Sequence, residues 1–273
     1  MRRLAPAAVI LLLVAACGTG GAGSGLSLPD DPEAVVLTVT SEGGFMPLEA
    51  NLDRMPRFVL TADRSLVFAG PMTLEFPGAL LPNVLVTTIS EEAFAEVLQL
   101  VEELGLPDVD EVVDQSGTEM LADAPTDFIT YYDENGAHRF GVVGLGMVEG
   151  GGSTDRLLAE EIVQTLDRAT AEGEVGPYEA DRLQVAAGPP LPMDGDFGSV
   201  EEWPFEVSFE DMPEWALGWR CIGVEGDEAI RLLGVFGEAN AATLWTLGGE
   251  EFSIKARPLF PGEEACAGAP PGA

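Results

Sequence analysis

Three cysteines and one histidine are the residues of this chain whose settings could carry chemistry. Cys17 follows Val14-Ala15-Ala16, behind Met1-Arg2-Arg3 and an apolar run from Leu4 to Ala16. A basic start, an apolar stretch too short to span a bilayer and small side chains before a cut are the marks of a secretory leader. A thiol immediately after the cut can form a thioether with a diacylglyceryl group, so the spacing predicts removal of residues 1–16 and lipidation of Cys17. An ordinary leader with a cysteine close to its cut is the competing reading. Two acyl signals suffice for stable anchoring. Arg2 and Arg3 are not followed by a large apolar residue at the twin-arginine spacing, which favours general secretion. The expected location is the extracytoplasmic face of the cell membrane.

That compartment bears on the other two cysteines. An even pair outside the cytoplasm most often forms a disulfide, so Cys221 and Cys266 are expected to be bridged. Two free thiols or a metal pair are the alternatives. A bridge would stabilise the region through loop closure and would have no catalytic role.

Several chemistries are excluded by residue type. With His138 as the single histidine, no His-Glu-x-x-His zinc site can be assembled, and no serine occupies the centre of Gly-x-Ser-x-Gly. His138 follows a turn beside Arg139, where a solvated strand residue is expected rather than a general base. The stretch Gly144-Leu145-Gly146-Met147-Val148-Glu149-Gly150 has glycines like those of a dinucleotide turn. Its preceding strand belongs to a hairpin, however, and Glu149 would face the phosphates. Asp108, Asp110, Asp114, Ser116 and Glu119 fall at calcium-loop spacing, but Val113 stands where that loop needs glycine, and an acidic turn is expected instead. No catalytic residue, metal site or cofactor is predicted. The four tryptophans, Trp203, Trp215, Trp219 and Trp245, cluster in the last third of the chain. Core burial is the ordinary fate of such residues, but exposed indoles also build partner- and carbohydrate-binding surfaces, so all four are candidate binding residues.

Composition narrows the partners. The chain carries 13 basic and 47 acidic side chains, a net charge of −34; residues 1–16 hold two of the basic ones and none of the acidic, so the processed chain would carry −36. Nucleic acid and anionic headgroups would be repelled. The acids are dispersed rather than blocked, which describes a solvated acidic surface. Lys255 is the single lysine. A saline habitat and an arginine-biased genome both account for that surface composition.

These residues must be positioned by a folded chain of mixed type. Residues 17–33 begin with a glycine-rich run and read as a flexible tether. Strands are expected from Ala34 to Thr40, at 57–61 and 66–68 as a hairpin, and at 84–89. Ser90 then caps a helix whose apolar face is Phe94, Val97, Leu98, Val101 and Leu104. A second hairpin, 128–132 with 138–143, turns at Asn135-Gly136 in the type I′ manner and leads to a helix from 154 to 171. Phe58 precedes Asp63 at the same interval as Phe128 precedes Asp133, which suggests a duplicated strand-strand-helix unit. Beyond a Pro/Gly-rich break at 188–198, strands are expected at 205–209, 217–224 and 251–256, with a helix at 227–241. The fold class is α+β, with helices packed on a mainly antiparallel sheet. An N-terminal domain at 34–176 is followed by a smaller disulfide-closed region at 177–266 and a disordered tail at 267–273.

Pro56-Arg57-Phe58-Val59-Leu60, the turn from Asp133 to Arg139, and Arg257-Pro258-Leu259-Phe260-Pro261-Gly262-Glu263 before Cys266 resemble a group of uncharacterised lipoproteins of high-GC, Gram-positive bacteria. The resemblance covers most of the processed chain and implies a secreted, tethered protein. It carries no activity. The expectation is a membrane-anchored module that binds a protein or carbohydrate partner in the envelope; the alternative is a hydrolase using a carboxylate pair, as glycosidases do.

Overall fold

The computed structural model describes residues 26–45, 51–118, 121–147, 152–191, 198–216 and 218–267. The leader, Cys17, residues 18–25 of the expected tether and residues 268–273 of the tail lie outside them. Among the described residues the chain is α+β, with two mixed but mainly antiparallel sheets and three helices.

The first sheet contains β1 (Val35–Glu42), β2 (Phe58–Thr61), β3 (Ser65–Ala69), β4 (Val84–Thr88), β5 (Glu111–Asp114), β6 (Thr126–Asp133), β7 (Gly136–Val143) and β8 (Gly176–Pro177), in the order β5-β7-β6-β1-β2-β3-β4-β8. Helices α1 (Glu91–Glu103) and α2 (Thr154–Glu172) cover one face. Ser90 caps α1, its hydroxyl accepting from the Ala93 N–H at 3.1 Å, and Glu91 and Glu92 lie in the first turn where the helix dipole favours them. Phe94, Val97, Leu98 and Val101 recur at helical spacing and are buried against Leu37, Val39, Ile129 and Tyr131. Each such side chain stabilises the fold by about 1.5–3 kcal/mol. Residues 26–33 do not belong to the tether: Leu26 and Leu28 pack on this core, and Tyr131 donates to the Ser27 carbonyl at 3.0 Å.

The second sheet comprises β9 (Arg182–Gly188), β10 (Val200–Glu202), β11 (Glu214–Ala216), β12 (Trp219–Glu225), β13 (Leu244–Leu247) and β14 (Glu250–Pro258), ordered β10-β13-β14-β9-β12-β11. β9 lies in its interior, and period-two alternation sends its side chains to two cores. Leu183, Val185 and Ala187 meet Ala229, Leu232 and Phe236 of α3 (Gly226–Gly237), whereas Ala186 packs with Trp219 and Leu52. A disulfide joins Cys221 on β12 to Cys266.

Three further expectations about secondary structure change. Residues 205–209 form no strand: Phe205 and Phe209 both turn onto Trp203, and Val207 gives its carbonyl to the Trp203 indole. Helix α3 stops at Gly237 rather than continuing to 241, because Ala239 accepts from the Leu80 N–H and the Ala241 N–H donates to Gly78. In the second hairpin, Asp133 pairs with Gly136, and it is Gly136 rather than Asn135 that takes the positive φ, 135°. The turn is therefore not type I′.

Candidate functional site

The spacing that resembled a calcium loop is occupied by secondary structure. Glu111–Asp114 is the extended strand β5, paired parallel with Arg139–Val142 of β7, so its side chains alternate between faces and cannot converge on an ion. Asp114 instead meets the start of α2. Its carboxylate accepts from the Ser153 hydroxyl and, at 2.7 Å, from the Ser116 N–H. Burial alone would raise its pKa; the bonds from Ser153 and Ser116 and the nearby Arg156 charge hold it below the usual carboxylate value. Ser153 also accepts from the Arg156 N–H as the helix N-cap. The helix end that a dinucleotide phosphate would need is therefore already supplied with an anion by the protein itself.

His138 is not solvated as expected. Its side chain is 12% exposed, with Nδ1 2.8 Å from the Val109 carbonyl and Nε2 3.2 Å from Asp133. The Val109 bond raises its pKa above 6.5 against the opposing effect of burial, with Asp133 adding to the rise. Nε2 is engaged within the β6–β7 hairpin and Nδ1 ties that hairpin to the segment before β5, which leaves neither nitrogen free to act as a base. Among the described residues no three His, Cys, Asp or Glu side chains gather to hold a metal ion.

The tryptophans divide into two pairs. Trp219 is 3% exposed and packs with Leu52 and Ala186 on the face of the second sheet away from α3, with Trp215 beside it. Gly188 is required there, since a Cβ would lie 2.4 Å from the Trp219 ring. Trp219 is thus a core residue, while Trp215 is partly buried at its edge. Trp203 and Trp245 meet on the other side, in a groove of about 640 Å³ lined also by Glu201, Glu202, Arg231 and Glu238.

Local structure explains the groove. β10 runs parallel to β13, which places Trp203, the residue after β10, beside the strand carrying Trp245; the Trp203 backbone N–H donates to the Thr246 carbonyl at 3.0 Å. Trp203 is half-buried, its ring set edge-on to Phe205 and Phe252 at 5.2 and 5.4 Å. Arg231, on α3, is held by Glu228 at 2.6 and 2.8 Å and by the Pro204 carbonyl at 2.6 Å, which fixes one wall. Trp245 is 2% exposed and packs edge-on to Phe236 at 5.6 Å. Its indole N–H has no acceptor. An indole has one donor and no acceptor, so the whole hydrogen-bonding capacity of this side chain is unused.

No family model, curated protein or solved structure matches this chain. Function therefore has to be argued from geometry.

A second concavity, about 940 Å³, lies between the first sheet and the segment after β14, with Asp31, Asp63, Asp181, Tyr132, Tyr178 and Glu263 among its walls. Several of its polar groups are engaged: Asp63 accepts from Thr61 and Ser65, Tyr178 donates to the Leu259 carbonyl, and Glu263 forks onto Arg257 at 2.7 and 3.2 Å. Sequence reading named Trp203 and Trp245 but missed Arg231 and the three glutamates. Their convergence depends on the β10–β13 pairing, and three residues of β10 give too little periodicity to reveal it.

Proposed function

We propose that this chain is an exported, lipid-anchored protein of the cell envelope that binds a partner without transforming it. The observation that carries this reading is the disulfide between Cys221 and Cys266. It fits an oxidising compartment and leaves Cys17 as the one cysteine outside the bridge, at the position where a lipid would be attached. The membrane is then a partner through the anchor, and the acidic surface disfavours nucleic acid. A glycosidase-like mechanism needs a carboxyl group that keeps its proton near neutrality in the substrate cleft. Among the described residues the carboxyl that burial pushes upward is Asp127, opposed by a Ser41 hydrogen bond and by the charges of Arg57 and Arg54, and it lines neither concavity. Binding is accordingly better supported than hydrolysis.

The test is mass analysis of the N-terminal peptide of the processed protein from the cell that makes it. Acyl mass on Cys17 is the expected result, with Cys17→Ala released or left unprocessed. A processed protein whose Cys17 carries no lipid would overturn the anchor.

A further inference from the structure

We infer that one end of the first sheet is an interface through which two copies of this chain dimerise. Pairing from Glu42 through Thr126 to Val143, and from Val39 through Phe58 to Phe68, brings the ends of β1, β3 and β7 together. The connections that leave from there carry Phe45, Met72, Leu74, Phe76 and Met147. Phe45 is 91%, Met72 78% and Phe76 72% exposed, and Leu74 is fully exposed; no other large apolar side chain among the described residues exceeds 58%. The same segments avoid charge. In a chain of which 22% is charged, Glu75 is the one charged residue from Ser65 to Ser90, and none lies between Arg139 and Glu149.

Area and charge select the occupant. With roughly 150 Å² or more on each large side chain, Phe45, Met72, Leu74 and Phe76 present about 600 Å² of apolar surface, the upper end of what a monomer leaves in water. Two copies meeting there would bury about 1,200 Å², which reaches the range of stable interfaces. Phe and Met in a patch poor in charge are also the composition of an interface core. Two chains of net charge −34 repel through their acidic faces, so this end is where they can approach with few carboxylates opposed. The same patch on both partners closes at two copies. A bilayer fits this end less well. The chain enters β1 from the opposite end, where the Asp63 N–H donates to Pro32 and the Ala62 N–H to Ala34, so a tether from Cys17 would draw that opposite end toward the membrane.

The experiment uses the processed chain, residues 17–273, carrying Cys17→Ala, so that association is read without a lipid and its failure is distinct from failure of the anchor. Sedimentation velocity from about 1 to about 200 µM should show a shift from one chain to two and no larger species. Raising sodium chloride should strengthen the dimer, because it screens the repulsion between copies and leaves an apolar contact intact. Met72→Asp/Leu74→Asp, two exposed changes that leave Tm in place, should weaken dimerisation about tenfold or more. Ile230→Asp, which alters another exposed apolar side chain on α3, should leave it unchanged. A chain that stays single throughout overturns the inference, as does a dimer weakened no more by Met72→Asp/Leu74→Asp than by Ile230→Asp. A chain that stays single but floats with neutral phosphatidylcholine vesicles, and loses that flotation in Met72→Asp/Leu74→Asp, overturns it in favour of the bilayer.

Discussion

Removing the disulfide should cost this protein a large part of its stability, and the structure says where the loss will be felt. Cys221 and Cys266 are 45 residues apart in sequence. In the chain-entropy model, closing a loop of that length removes about 13 cal/mol/K from the unfolded chain, or about 4 kcal/mol at 25 °C. Against this, Cys266 sits in the left-handed region at φ 57°, which costs a residue with a Cβ about 1 kcal/mol and is relieved once the end is free. The expected loss in Cys221→Ala/Cys266→Ala is therefore about 3 kcal/mol. For a chain of this size that amounts to a fall of roughly 6–12 °C in Tm. The loss should not stay within the second sheet, because the bridged segment carries Phe260, which is fully buried among Val59, Val67 and Val84 of the first. Urea unfolding followed by far-ultraviolet circular dichroism and by tryptophan fluorescence reads both sheets, since the described tryptophans all lie in the second. Both signals should shift to lower urea in the variant. A loss below about 1 kcal/mol would refute the loop-closure argument, and a shift confined to fluorescence would refute the claim that Phe260 couples the sheets.

Two further outcomes follow from charge. His138 has a folded pKa above 6.5, so its contribution to stability is complete below about pH 6.5 and is lost as pH rises through the folded value. The urea midpoint of the wild type should fall between pH 6 and pH 8.5, and His138→Gln should flatten that fall; an equally steep fall in the variant would remove His138 as its cause. The 47 acidic side chains repel one another in the folded state, and raising sodium chloride from 0.01 to 1 M shortens the screening length from about 30 to about 3 Å, so Tm should rise with salt. A Tm indifferent to salt would mean that the acids are too dispersed to matter.

Local signals were legible in the sequence where one segment decides its own state. Ser90 caps α1 as a short polar side chain directly before apolar periodicity, and Cys221 and Cys266 pair because no other cysteine competes within the folded region. Illegible elements are those decided by distant partners. β5 is an acidic, largely exposed strand held by its pairing with β7, by Asp114 at the start of α2, and by Arg139, which joins Glu111 at 2.9 Å to Glu42 at 2.6 Å. Nothing inside Glu111-Val112-Val113-Asp114 announces that arrangement. Arg156 looks like an ordinary charged residue on a helix. It is fully buried, and it donates to the Gly144 and Val143 carbonyls at 3.3 and 2.7 Å.

The same dependence on distant partners governs the groove. Glu238 and Ala239 form part of its wall immediately after α3 has ended, and that ending is imposed by the connection between β3 and β4. There the Leu80 N–H donates to Ala239 at 3.2 Å, Ala79 bridges to Asn240, and Leu80 itself is buried with Leu232 and Phe236. A second crossing comes from the segment after β1, where Leu52 gives its carbonyl to Gln184 at 3.0 Å and Asp53 meets Lys255 at 3.2 Å. Phe260 crosses in the opposite direction. These contacts cross the boundary expected between residues 176 and 177, although the main core of each sheet lies on its own side of it. Without the chain from 78 to 80, the backbone at 239–241 would lose the hydrogen bonds that turn it away from the helix, and with them the path of the wall at Glu238 and Ala239. The groove is thus a property of both sheets folded together, although every residue lining it belongs to the second half of the chain.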